Sequence, residues 1–242
     1  GDEANALRRI GPLFVHEQMH VLQRCYPERF ASLYEGVFGL VRGEVETADE
    51  LERRRIGNPD APLKLIEYGS LTCPTCARFS MEGGEPLLEY VDSGVVSFEL
   101  RQFAIHGPLD LLLQRMTQCG PDEAVIPLSD QVWANYESIM EPIQTNQAAF
   151  EAAMQRPMEE RFVVAAEQMG YLDFFASRGI SEDQGRACLA DVASLEQMAD
   201  YTQRYSSEFN ITGTPTFKLN GRDVDANTWA ALEPILQRAG AR

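Results

Sequence analysis

The sequence predicts an α/β protein: a strand–helix–strand unit, a long helical insertion, and a second β-containing half closed by a helix. Three observations carry this prediction. A short apolar run at residues 63–68 and an alternating, β-rich run at residues 95–103 flank a helical pattern starting at Ala77, the spacing of a right-handed βαβ unit with a parallel strand pair. From Leu109 to about Ser207 the pattern is helical, interrupted at Gly120-Pro121, Pro127, Pro142, Pro157, Gly170 and Gly179. Then Thr214-Pro215-Thr216-Phe217-Lys218-Leu219-Asn220-Gly221-Arg222 reads as a loop, a strand and a hairpin turn.

Taken in order, residues 1–56 read as a helical extension. Leu7, Ile10, Leu13, Phe14, Val21 and Leu22 lie near helical spacing, and Phe30, Leu33, Tyr34, Val37 and Phe38 repeat it after Pro27. Residues 44–55 are charged with few apolar anchors, as in an exposed helix or linker. The extension is too small for a core of its own, so it is expected to dock on the main domain or to oligomerise with another copy of the chain. Gly57-Asn58-Pro59-Asp60-Ala61-Pro62 is turn chemistry and marks a boundary. The first half of the α/β domain then spans residues 57–106. Its helix runs to about Val91 and is expected to kink or break at Gly83-Gly84 and Pro86. His106-Gly107-Pro108 closes the unit; His106 reads as a turn residue whose strand-end position also offers it to a substrate. The helical insertion takes residues 107–207, where Val132, Trp133, Tyr136 and Ile139 lie at helical spacing and read as its core. The second half takes residues 208–242 and ends in a helix over residues 225–239, with Asn227 as N-cap.

Composition narrows the function. The chain has 242 residues, enough for one large domain with a sizeable core, and a formal net charge of −16. That balance argues against nucleic acid and anionic membrane surfaces as partners, because both need basic patches. No run approaches the ~18 apolar residues of a membrane span. Gly1-Asp2-Glu3 opens directly into polar sequence, as expected for the mature form of an exported protein or for a cytosolic one.

The chemistry is concentrated at Cys73-Pro74-Thr75-Cys76. Two thiols at this spacing at a helix start can close a small disulfide, and free backbone N–H groups with the helix dipole favour a Cys73 thiolate. The same pair is half of a zinc site, but Cys119, Cys188 and His106 are scattered singly, so redox chemistry is favoured over a metal. His16-Glu17-Gln18-Met19-His20 formally matches the H-E-x-x-H zinc-protease pattern, with two imidazoles one helical turn apart. The catalytic fold and third ligand of such an enzyme have no room before the next domain, so these are read as surface and docking residues. Five cysteines leave Cys25, Cys119 and Cys188 beyond the pair; at most one further bridge forms and one thiol stays over.

Strand, Cys-x-x-Cys helix, strand, helical insertion, Gly213-Thr214-Pro215-Thr216 strand, hairpin and helix together resemble the thioredoxin superfamily, and within it the DsbA-like thiol–disulfide oxidoreductases. The resemblance covers about residues 57–242 and rests on three separated motifs. It implies a thioredoxin fold with a helical insertion. By position, Cys73 matches the attacking thiol, Cys76 the buried resolving thiol, and Thr214-Pro215 the loop whose cis proline faces the disulfide. The backbone of Thr214, with Pro74 and Thr75, would line the substrate. Glu67 takes the place of a buried acid that exchanges a proton with Cys76, which gives a carboxylate in a core strand its reason. Some DsbA-like proteins carry a second, structural disulfide in the insertion, which would pair Cys119 with Cys188; Cys25 is then a buried small apolar residue. The departure is Thr75, where these proteins usually place His. Cys73 is expected to stay acidic through the helix N-terminus while the disulfide is less oxidising than in relatives with His.

The resemblance further implies an extracytoplasmic enzyme that oxidises unfolded or partly folded cysteine-containing polypeptides, with no metal or organic cofactor, reoxidised by a quinone-linked membrane protein of the DsbB type. Two alternatives keep the fold. A disulfide isomerase or reductase would use residues 1–56 to form a homo-oligomer, and Thr before the cis proline occurs in isomerases too. A chaperone or peptide-binding module would have a purely structural Cys pair.

Overall fold

The computed structural model describes residues 54–241. At its centre Leu63–Gly69 (β2) and Val96–Gln102 (β3) run parallel, joined by a helix, Pro74–Asp92 (α1), as the βαβ reading requires. A short strand, Arg54–Ile56 (β1), pairs antiparallel with β3 at one edge. The insertion follows as α2 (Pro108–Thr117), a 3-10 turn at Asp122–Ala124, α3 (Val125–Ala134), α4 (Tyr136–Thr145), α5 (Gln147–Met154), α6 (Met158–Gln168), α7 (Tyr171–Ala176), α8 (Glu182–Leu189) and α9 (Val192–Glu208). The chain returns as β4 (Thr216–Leu219), antiparallel to β2, then β5 (Arg222–Val224) and α10 (Trp229–Ala239). The sheet order is β1-β3-β2-β4-β5, so β2 is central. Asn220 and Gly221 link β4 to β5 with φ of 50° and 77°, the left-handed pair that a tight two-residue hairpin demands.

Strand alternation decides what each face buries. Leu63, Leu65 and Glu67 of β2 share a face with their register partners Phe98 and Leu100 of β3 and Phe217 of β4. Leu65, Leu100 and Phe217 pack there with Phe79 and Leu87 of α1 and with Trp229 and Leu232 of α10. On the other face Tyr68 and Phe103 pack with Tyr205 of α9 and Ile211. Arg101 crosses that face, donating to the Tyr68 hydroxyl and to Glu99, both at 2.7 Å.

Four expectations are corrected. Residues 54–56 belong to the sheet and not to a helical extension or linker, so the α/β domain starts before residue 57. Three residues give no periodicity to detect; backbone pairing with β3 and the Arg55–Glu99 ion pair at 2.8 Å hold them. The helix α1 continues through Gly83, Gly84 and Pro86. A Cβ on Gly83 would lie 2.8 Å from the Trp229 ring, so the glycine serves the close approach of α10 instead of ending the helix. Pro127 and Pro142 lie inside α3 and α4, and the breaks fall at Asn135 and Asn146. Pro127 is in the first turn, where an N–H has no intrahelical partner to lose. The last helix begins at Trp229, with Thr228 and not Asn227 at its N-cap.

Candidate active site

The C-terminal ends of β2 and β3 lie side by side, joined by the Phe103 N–H donating to the Gly69 carbonyl at 2.8 Å. Their parallel direction therefore brings the loop leading to Cys73 next to the loop carrying His106. Because β4 runs antiparallel to β2 and starts at Thr216, Thr214-Pro215 arrives at the same end. Its peptide bond is cis.

Cys73 is the N-cap of α1, with extended backbone and Pro74 at the first helical position. Its Sγ accepts from the Cys76 N–H at 3.5 Å, and the thiol donates to the Thr214 carbonyl at 3.3 Å. Cys73 is held at about 5, far below an ordinary thiol. The hydrogen bond from the Cys76 thiol is the largest cause; the Thr214 side chain and the backbone N–H groups of Cys76 and Thr75 add to it, and desolvation opposes them. Cys76 is fully buried. Desolvation pushes its thiol well up, with its hydrogen bond to Cys73 and the neighbouring Glu67 charge acting in the same direction. Both residues are free thiols. One thiol is thus poised to ionise and the other to stay protonated. Thr75 contributes its backbone N–H; no charge comes from that position.

Glu67 lies on the central strand with 1% exposure. Its Oε1 has no hydrogen-bond partner among the described residues. Burial raises its carboxyl well above the usual range, and the Asp130 and Cys73 charges add to that. Glu67 and Asp130 line one small cavity with Ser80, whose hydroxyl donates to Asp130 at 2.8 Å. On the outer side a surface groove runs from Pro74 along Arg78 and Met81 to Tyr136.

A second set of residues fixes the loop before Cys73; His106, Trp133 and Tyr136 among them carry other roles in the sequence reading, and Asp110, Ser70 and Thr72 are unmarked there. Buried Asp110 accepts from the Ser70 hydroxyl at 2.9 and 3.0 Å, from the Thr72 N–H at 3.1 Å and from the His106 N–H at 2.9 Å. Trp133 donates its indole N–H to the Ser70 carbonyl at 3.0 Å, and the Tyr136 hydroxyl donates to the Thr72 carbonyl at 3.1 Å. Trp133 and Tyr136 therefore do more than fill the insertion: they tie α3 and α4 to the active-site loop. A signal existed for Asp110, a lone acid in the apolar run Leu109–Leu113, the same kind of anomaly that singled out Glu67.

Cys119 and Cys188 form a disulfide between the end of α2 and α8, with Cα atoms 5.8 Å apart. Cys25 and His16-Glu17-Gln18-Met19-His20 lie outside the described residues. Among the described residues no group of three or more His, Cys, Asp or Glu is arranged to hold a metal ion, and no helix is long and apolar enough to cross a membrane.

The thioredoxin family model matches residues 49–238, leaving residues 1–48 outside it. A comparison with curated proteins gives no match. Among solved structures, protein-disulfide isomerase from Novosphingobium aromaticivorans is 27% identical with a TM-score of 0.72, covering 78% of this chain and 98% of its own. α-DsbA1 of Wolbachia pipientis, 18% identical, has a TM-score of 0.62 and covers 80% of this chain and 96% of its own. DsbA of Chlamydia trachomatis, 16% identical, has a TM-score of 0.55 and covers 82% and 96% respectively. The chain belongs to the thioredoxin family, with the helical insertion of the DsbA-like form of its fold.

Proposed function

We propose that this protein introduces disulfides into unfolded exported polypeptides by dithiol–disulfide exchange through Cys73 and Cys76. The observation that carries the reading is the split between the two thiols: Cys73 held at about 5 beside the cis Thr214-Pro215 peptide, and Cys76 buried and pushed up. A stable Cys73 thiolate is a good leaving group, so a mixed disulfide through Cys73 resolves toward oxidised substrate and reduced enzyme.

In the oxidising direction a substrate thiolate attacks Cys73 Sγ. The Cys73–Cys76 bond breaks, and its electron pair passes to Cys76 Sγ, which takes a proton. Glu67, buried and protonated up to an unusually high pH, is the proposed donor. A second substrate thiolate then attacks the substrate sulfur of the mixed disulfide, and Cys73 leaves as thiolate. The Thr214 backbone, with Pro74 and Thr75 beside it, is the proposed docking edge, and the groove from Pro74 to Tyr136 supports an extended polypeptide beyond it. We assign Cys119–Cys188 a structural role, in keeping with an oxidising, extracytoplasmic compartment. A DsbB-type membrane protein would restore the disulfide, no metal or organic cofactor is called for, and without His at position 75 the bond should be less oxidising than in relatives that have it.

The test is stoichiometric oxidation of a reduced two-cysteine peptide by the oxidised protein, abolished in Cys73→Ser. Equilibration with a glutathione buffer gives the direction, and a strongly reducing value would overturn the oxidase reading. One observation favours a second reading, disulfide isomerase: the 27% identity to a protein of that name. That reading assigns the segment before β1 to oligomerisation, and a strict monomer by light scattering that leaves scrambled disulfides unchanged would remove it.

A further inference from the structure

We infer that His106 is the base that takes the proton from an incoming substrate thiol, with Thr72, Ser70 and Asp110 as its positioning residues. The inference rests on the exchange reading above and adds a residue to it.

His106 sits on the loop beside the one that ends at Cys73, and its ring touches the residue next to that cysteine: Nδ1 lies 2.7 Å from Thr72 Oγ1. Thr72 Oγ1 is 3.2 Å from Ser70 Oγ, and the Ser70 hydroxyl reaches both oxygens of Asp110. Asp110 is fully buried and has only donors around it, so it acts as the acceptor at the end of the chain. The direction of the other hydrogens follows. The Ser70 proton is spent on Asp110. If Thr72 gave its proton to His106, the Thr72–Ser70 oxygen contact would hold no hydrogen. With the imidazole proton on Nδ1, every contact is satisfied: Nδ1–H donates to Thr72, Thr72 to Ser70, and Ser70 to Asp110. That tautomer leaves the lone pair on Nε2. The His106 side chain is 56% exposed, so a substrate entering at Cys73 can reach the ring.

Among the described residues, three ionisable groups lie close to the ring or to the residue that holds it. Asp110 Oδ2 is 3.9 Å from Nδ1, Cys73 follows Thr72, and the Tyr136 hydroxyl from α4 holds the Thr72 carbonyl. Asp110 steadies the imidazolium once it forms, as a buried carboxylate does behind other imidazole bases.

In the proposed step Nε2 takes the proton of a substrate thiol. The resulting thiolate attacks Cys73 Sγ, the Cys73–Cys76 bond breaks, and Cys76 leaves with the electron pair and is protonated. His106 releases its proton to water and repeats the service for the second substrate thiol, which attacks the mixed disulfide and expels the Cys73 thiolate. The substrate dithiol is oxidised, the enzyme disulfide is reduced, and no further reagent is needed. An ordinary thiol with a pKa of about 8.5 is only ~3% ionised at pH 7, so such a base can gain at most ~30-fold there.

The test is stopped-flow reduction of the oxidised protein by a reduced two-cysteine peptide, followed across the acid to mildly alkaline range. The wild-type rate should depend less steeply on pH than the rate of a protein without the base, because part of the substrate ionisation is then supplied by the enzyme. His106→Gln should be roughly tenfold slower at pH 7 and keep rising toward the thiol's own ~8.5. Its glutathione equilibrium and Cys73 titration should match the wild type, because a base alters rate and not equilibrium. Thr72→Val, which unties Nδ1, should fall between the two. Identical profiles for wild type and His106→Gln would overturn the inference. So would a His106→Gln protein whose Cys73 titration and equilibrium move together with the rate, since His106 would then serve Cys73. A wild-type protein inert toward the peptide would overturn the exchange reading itself.

Discussion

Replacing Cys76 with alanine should make Cys73 a weaker acid. Cys73 is held at about 5, and the largest single cause is the hydrogen bond from the Cys76 thiol. A hydrogen bond to a charged group is worth ~1.5–3 kcal/mol, and one pH unit of acidity corresponds to ~1.4 kcal/mol. Losing that bond should move Cys73 from about 5 to roughly 6–7. It should not reach the ordinary thiol range of ~8.5, because the helix N-terminus and Thr214 remain. Cys76→Ser keeps a donor and should stay below Cys76→Ala. The assay is the ultraviolet absorbance of the thiolate followed against pH in each variant. The same acidity has a consequence for stability. Between the folded value, about 5, and the unfolded one, ~8.5, the folded reduced protein binds fewer protons than the unfolded chain, so its stability rises with pH through that window. The gain is lost as the pH falls through about 5. Its ceiling is ~5 kcal/mol, which solvent around the sulfur reduces to ~2–3 kcal/mol. The disulfide form has no thiol to ionise, so the melting difference between reduced and oxidised protein should widen with rising pH across this window. A wild-type Cys73 in the ordinary thiol range, or a Cys76→Ala variant that titrates with the wild type, would refute the hydrogen-bond account.

Glu67→Gln should stabilise the protein near neutral pH, because a buried carboxyl with a raised pKa costs more the further the pH climbs above its unfolded value of ~4.3. Urea unfolding should show the gain vanish toward pH ~4, while proton delivery to Cys76, and with it peptide oxidation, slows. Gly83→Ala and Gly84→Ala form a matched pair in one helix. The Gly83 variant drives a Cβ into the Trp229 ring and should lose ~1–3 kcal/mol, whereas the Gly84 variant meets only Ser80 Oγ at 4.0 Å and should gain ~0.5–1 kcal/mol from helix propensity. Equal effects in urea unfolding would remove the packing explanation. Cys119→Ala with Cys188→Ala opens a bridge between residues 69 apart, which should cost ~4 kcal/mol by loop entropy and leave peptide oxidation intact. Loss of oxidation in a folded double variant would make that bond part of the chemistry.

The parts of this fold that were legible in sequence are those written in local pattern. The alternation of residues 95–103 and the Asn220-Gly221 turn each specify a backbone within a few residues, and the structure has β3 and the β4–β5 hairpin there. The errors fall where local pattern gives way to packing. Proline was expected to break helices at Pro86 and Pro142, but a proline inside a helix removes one hydrogen bond and adds a clash, ~3 kcal/mol that a packed face outweighs. Gly83 is a breaker only by its backbone freedom, and its missing side chain is what seats Trp229. Asp110 was invisible as a clamp because its partners, Ser70 and Thr72, are forty and thirty-eight positions away and meet it only once β2 and β3 lie in parallel.

The active site divides along the same line. The cysteine spacing exposes the pair, yet the acidity of Cys73 comes from how the fold gathers its neighbours around the sulfur. These are the Cys76 thiol, the backbone N–H groups of the first turn and Thr214. Any residue but proline at position 75 would supply the same N–H. The side chain there consequently adjusts a thiolate that the helix start has already stabilised, and Thr75 leaves that baseline without an added charge. The imidazole that this stretch lacks is found instead on the neighbouring loop, at His106, held by the hydroxyl of the residue just before Cys73. An imidazole between two cysteines can act on the enzyme's own thiolate. One tethered outside them, on a half-exposed side chain, is the one we infer to act on the substrate's thiol. An imidazole on the neighbouring loop separates the two tasks, so that thermodynamic poise belongs to the helix start and, on our inference, rate belongs to the rim.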